Sequence, residues 1–314
     1  MMYRIDFRAM GCRMLAMVES RLPEAPDLLA QVPNWFEEWE QSLSRFRTGS
    51  ELNLLNRSAG WPVQVSQTLW DVFQAAVEAE QASNGLVRET VLDALIAAGY
   101  DRSFDLLPLE RASAPVNEWN SVGSLAEVSI DENSRTICLP ADMGLDFGGV
   151  AKGWAAHQAS KRLAGCGAAL VSAGGDVAIS AEQSNGELWP VAIENPFKKG
   201  DYLDTLMVGA CGVATSGTDY RRWKQGGRWS HHIIDPRTGQ PAQTDVVTAT
   251  IVAPTAMQAE MAAKVTLISG SEYGLKWIEA QPQLAAMLVL ETGDILYSNH
   301  IQQYFWRNYE RKTS

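Results

Sequence analysis

Hairpin patterns stand at both ends of this chain, and no βαβ rhythm joins them. Residues 4–19 read as strand, turn and strand around Met10-Gly11. Residues 285–290 and 295–299 form a second such pair, turning at Thr292-Gly293-Asp294. Helical and strand patterns alternate irregularly between them, which points to an α+β fold of mixed helices and antiparallel strands rather than a doubly wound sheet. Nothing repeats and no linker divides the chain, so one domain over residues 1–314 is expected.

Residues 23–46 carry apolar side chains at helical spacing, including Leu28, Leu29, Val32, Trp35, Phe36, Trp39 and Leu43. Helices are also expected over 66–82, with Ser66 as N-cap, and over 90–98, 150–164, 256–268 and 272–280. Residues 111–124 read as a surface loop. Strand pairs are expected at 126–139, at 168–180 around Gly174-Gly175, and at 223–234 around Gly226-Gly227. Residues 189–194, 205–214 and 246–253 are strand-like.

The net charge of -11 argues against nucleic acid, whose binding draws on Lys and Arg. The four cysteines form no CxxC pair, so neither a zinc site nor a disulfide framework is indicated, and free, mostly buried thiols are expected. The first residues hold no apolar leader and no stretch has the length of a membrane span. A cytoplasmic protein without direct membrane insertion is expected.

Four segments carry chemistry. Asp146-Phe147-Gly148-Gly149-Val150-Ala151-Lys152-Gly153 places a glycine pair before a helix, where backbone N–H groups can approach an anion. Lys152 in the first helical turn opposes the helix dipole, which a phosphate would compensate; a tight turn with a surface lysine explains the segment equally well. Ser172-Ala173-Gly174-Gly175-Asp176 suits close approach to a ligand or a plain turn. Thr215-Ser216-Gly217 is followed by His231-His232-Ile233-Ile234-Asp235-Pro236-Arg237-Thr238-Gly239, which holds two of the four histidines, candidate bases near neutral pH. Pro254-Thr255-Ala256-Met257 leads into a helix on which Glu260 and Lys264 share one face. As an exposed ion pair these two would contribute only about 0.3–0.5 kcal/mol.

In this order, and with Met10-Gly11, Ser44-Arg45-Phe46-Arg47 and Gly99-Tyr100-Asp101 before them, the segments resemble the ApbE family over nearly the whole chain. The resemblance implies a T-fold-like α+β domain that binds FAD. It implies transfer of FMN, usually with magnesium, to a Thr or Ser hydroxyl of an acceptor flavoprotein, with AMP leaving. FAD hydrolysis to FMN and AMP, or FAD binding without transfer, are the alternatives. By resemblance, Met10 and Phe46 line the flavin site, and Asp146, Lys152, Ser216, Ile234 and Thr238 contact FAD. His232 matches the base, and the Gly149 carbonyl a metal ligand.

Two positions depart from the family pattern. Where an Asp and a Thr would bind metal, this chain has Glu260 and Lys264. Glu can ligate magnesium through oxygen, whereas an ammonium offers only donors. The Lys264 ammonium is therefore expected in the cation's place, paired with Glu260. Arg88 stands where an acid is usual and would add positive charge near FAD.

Overall fold

The computed structural model describes residues 1–111 and 122–308. Most of the loop expected over 111–124 lies outside the described residues.

An eight-stranded sheet crosses the molecule. Its strands are β1 (Met2–Ala9), β2 (Cys12–Glu19), β3 (Ala168–Ala173), β4 (Asp176–Ile179), β5 (Gly212–Gly217), β6 (Val246–Ala253), β7 (Ala285–Leu290) and β8 (Ile295–Tyr297). They lie side by side in chain order, and every neighbouring pair is antiparallel. The hairpins at the two ends of the chain thus become the two edges of one sheet. At the first of them Met10 and Gly11 both take positive φ, +48° and +68°, as a two-residue turn matching strand twist requires.

Two layers cover the sheet, and the period-two alternation of β7 shows which residue faces which. Ala286 and Leu288 join Ala249, Ile251 and Ala253 of β6 on the helical side. Ala285, Met287 and Val289 point the other way, against Trp189, Leu206, Ile301 and Phe305. β6 is buried along its whole length, with Ile251 fully inaccessible. Truncating Ile251 to Ala would cost about 2–5 kcal/mol.

The helical side is built from α1 (Val32–Leu43), α2 (Gln67–Ala82), α3 (Ala151–Leu163) and α4 (Ala256–Glu279), among others. α3 packs on β3 and β4, and α4 on β5 and β6. Alanines at 259, 262 and 263 let α4 lie close to the sheet. α2 buries Leu69, Val72, Phe73 and Ala76, one stripe at helical spacing, and the Ser66 hydroxyl caps it by accepting from Leu69 N at 3.3 Å.

Three expectations are corrected. The helix expected over 23–46 is two, Ala25–Ala30 and Val32–Leu43, meeting at Gln31. Pro33 has no N–H to continue a helix, but fits the first turn of a new one. The strand expected over 205–214 breaks at residues 209–211. Tyr202–Val208 pairs with Trp189–Glu194 in the outer ribbon, and the chain then enters the main sheet as β5. The cysteines are half-buried and free rather than mostly buried. The separate helices expected at 256–268 and 272–280 agree with α4, which turns sharply at Gly270, φ +78°.

Among the described residues no helix is long and apolar enough to cross a membrane.

Candidate active site

A cavity of about 230 Å³ opens where the Met10-Gly11 turn, the segment after α1, the start of α3, the body of α4 and residues 232–234 converge. Its two walls differ in chemistry.

The first wall is ionic. Asp146 Oδ1 accepts from Gly148 N at 2.6 Å, holding the glycine turn before α3. Thr255 caps α4 by accepting from Gln258 N at 3.2 Å, and Glu260 and Lys264 follow one turn apart on the face toward α3. α3 and α4 approach closely at Gly153, where a Cβ would lie 2.7 Å from Glu260 Oε2. The missing side chain lets Gly153 N donate to that oxygen at 3.0 Å.

Glu260 Oε1 accepts from both Lys152 Nζ and Lys264 Nζ, each at 3.0 Å. Lys152 also pairs with Asp176, at the start of β4. Lys264 Nζ donates to Gly149 O at 2.8 Å. Burial works against the Lys152 charge, but Asp176 and Glu260 outweigh it and hold the ammonium well above its ordinary range. Burial pushes the Asp176 carboxyl up to about 6 against the pull of Lys152. Burial also opposes the Glu260 charge, yet the two lysines keep it ionised, below the usual carboxylate range. Lys152 is thus compensated by two carboxylates of the fold, and the pair Glu260–Lys264 is a buried element rather than an exposed ion pair, with Glu260 only 1% exposed.

Glu89, behind Gly149, belongs to none of the four chemical segments of the sequence. Its Oε2 accepts from Gly149 N at 3.3 Å, and its carboxyl fills the space a Gly149 side chain would need. Burial pushes it up to about 8, with Asp146 adding to the effect and Lys264 opposing it. Glu89 is therefore a neutral acid at pH 7.

The second wall is aromatic and contains unsatisfied donors. Arg45 pairs with Asp146, and its guanidinium lies 4.1 Å from the Phe46 ring centre and 4.6 Å from that of Tyr100. Tyr100 stacks on Trp223 at 5.4 Å and meets the His232 ring edge-on at 6.3 Å. Arg45 Nε is held by Asp146 and Arg88 Nε faces Glu80 Oε1 at 3.4 Å, so among the described residues the buried side-chain nitrogens left with neither hydrogen bond nor ion pair are Arg45 Nη2 and His232 Nδ1, both on residues of the cavity wall. Buried polar groups are ordinarily paired, so such a cluster marks a place for a ligand. Burial, reinforced by Arg221, drives the His232 imidazole well below its ordinary value, so it is neutral with Nδ1 free.

The cavity brings together Met10, Phe46, Arg88, Asp146, Gly149, Lys152, His232, Ile234 and Lys264. Ser216 and Thr238 are not among the residues lining it. Ser216 is buried within β5, and the Thr238 hydroxyl donates to Asp235 O at 3.3 Å in a turn. Glu260 stands one layer behind, its carboxylate reaching the cavity through the two lysines. Arg88 lines the cavity, but its Nη1 donates to Val122 O at 2.6 Å, which ties the guanidinium to the fold. Arg221, also on the wall, donates to Cys12 Sγ at 3.0 Å. Its place in an ordinary polar run gave no signal.

The site does not fit a divalent metal at the position the resemblance implies. Gly149 O and Glu260 Oε1 already share the Lys264 ammonium. Like charges 4 Å apart repel by about 4 kcal/mol per unit pair at an effective dielectric of 20. A divalent ion there would meet the lysine at closer range and with twice the charge. Among the described residues no group of three His, Cys, Asp or Glu side chains is placed to hold a metal.

The profile of the ApbE family matches residues 10–288. A relative from Vibrio cholerae named FAD:protein FMN transferase is 27% identical over 281 residues, 87% of this chain and 82% of its own. One of the same name from Treponema pallidum is 29% identical over 296 residues, 88% of this chain and 81% of its own. The crystal structure of the ApbE protein from Thermotoga maritima superposes with a TM-score of 0.86 at 22% identity, covering 97% of this chain and 99% of that one. That likeness establishes the fold.

Proposed function

The chain belongs to the ApbE family, and from that premise we propose that it is an FAD:protein FMN transferase acting on a Thr or Ser hydroxyl of an acceptor flavoprotein. The observation that carries this reading is the divided cavity, with ammonium groups on one wall and, among aromatic rings on the other, two buried nitrogens without partners, Arg45 Nη2 and His232 Nδ1.

The aromatic wall suits a planar heterocycle. Phe46, half-exposed, offers ring surface, Tyr100 backs it from between Arg45 and Trp223, and Met10, held at its turn by Glu40 Oε2 accepting from its N–H at 2.7 Å, lines the same cavity. The ionic wall suits a pyrophosphate, because Lys152, Lys264 and Arg221 supply fixed positive charge. In the transfer, the acceptor hydroxyl oxygen bonds to the phosphorus of the FMN half. The bond from that phosphorus to the bridging oxygen breaks, and AMP leaves with that oxygen. The hydroxyl proton passes to His232 Nδ1, which is neutral and open to accept it. No step is routed through magnesium, whose implied ligands are occupied by Lys264.

Intact-mass spectrometry of a Thr-containing acceptor incubated with the protein and FAD tests the reading. An FMN adduct with AMP release is expected. FMN and AMP without an adduct would indicate hydrolysis instead.

A further inference from the structure

We infer that the Lys264 ammonium is the resident cation of the pyrophosphate site, so that FAD binding needs no metal ion. The inference rests on the transferase reading and deepens it.

The geometry leaves little room for another ion. Lys264 Nζ sits between Gly149 O, at 2.8 Å, and Glu260 Oε1, at 3.0 Å. Those two oxygens come from different elements, the turn before α3 and the helix α4, and the ammonium joins them. The Glu260 oxygen that faces Lys264 is already shared by two ammonium groups, and its Oε2 takes Gly153 N.

An ammonium carries three donors. Two are used on Gly149 and Glu260, and Lys264 also lines the cavity with its side chain 15% exposed. The third N–H is therefore available to a phosphate oxygen. Lys152, on the same Glu260 oxygen and on the same wall, supplies a second positive charge beside it. Two monovalent cations that share Glu260, one of them also held by Asp176, replace one divalent ion, and they need no uptake from solution.

The test is FAD affinity, read by flavin fluorescence, with excess EDTA and with excess magnesium chloride. The unsubstituted protein is expected to bind FAD equally, within about twofold, in both. Lys264→Met keeps most of the unbranched side chain, one atom shorter, and removes the charge. It is expected to weaken FAD binding at least tenfold in EDTA, with an unchanged circular dichroism spectrum. In Lys264→Thr, which opens the seat and adds an oxygen, magnesium is expected to restore part of the loss. Should EDTA weaken the unsubstituted protein tenfold and magnesium restore it, or should Lys264→Met bind FAD normally, the inference is overturned. The transferase reading would still stand or fall on adduct formation. A protein that binds no FAD under either condition would overturn that reading itself.

Discussion

The two walls of the cavity are satisfied differently. Around Glu260 each carboxylate oxygen has its donors and each lysine at least two acceptors. Around Arg45 and His232, buried nitrogens have no hydrogen-bond partner. The first wall is bonded together in the free protein, with one Lys264 N–H to spare, and presents fixed charge. The second keeps one donor, Arg45 Nη2, and one acceptor, His232 Nδ1, without partners. A site that must hold an anion and a ring system uses both strategies side by side.

The comparison breaks first at His232. His232→Ala is expected to lower FMN transfer by about 10²–10⁴-fold, the usual contribution of a positioned base. FAD affinity should change less than about threefold, and titration of the free protein with FAD checks it. An equal loss of affinity and rate would make His232 a binding residue.

Glu260→Ala comes next, on the saturated wall. It leaves two ammonium groups without their shared carboxylate, and breaking a buried ion pair costs about 3–5 kcal/mol. Urea unfolding reads this. A loss below about 1 kcal/mol would show that water already screens the cluster.

Glu89 sharpens the comparison through pH. Its carboxyl sits at about 8 in the folded chain against 4.5 for an unperturbed one. The folded state keeps a proton that the unfolded state has released. Its contribution to stability is therefore full below about 4.5 and is lost as pH rises through about 8. Glu89→Gln should flatten that decline and raise the melting temperature most at the alkaline end. Parallel melting curves for the two proteins from pH 6 to 9 would contradict a buried neutral acid.

The smallest effect is expected at Phe46, whose ring is 41% exposed at the cavity mouth. Phe46→Ala should cost about 0.5–1.5 kcal/mol of FAD binding through lost ring contact, and little stability. Isothermal titration with FAD checks it.

Much of this arrangement is legible in the sequence because it is local. The turn at Met10-Gly11, the glycine pair before α3, the Thr255 cap and the i,i+4 spacing of Glu260 and Lys264 all depend on residues near one another in the chain. What converges from distant segments is not legible in this way. From the sequence, Lys152 reads equally as a phosphate ligand or a surface lysine. Its partners, Asp176 and Glu260, lie 24 and 108 positions away. Glu89 stands in a polar run whose spacing does not reveal that it turns inward beneath Gly149. Ser216 and Thr238 sit in motifs that the resemblance marks, but β5 buries one and a turn bond engages the other. Periodicity reports which face a residue takes, and the partner on that face comes from the fold.

The most direct measurement is the mass of a Thr-containing acceptor after incubation with this protein and FAD in EDTA. A covalent FMN adduct formed without added metal is the expected result. Unmodified acceptor, with FAD retained intact on the protein in both EDTA and magnesium, would contradict transfer and leave a flavin-binding protein in its place.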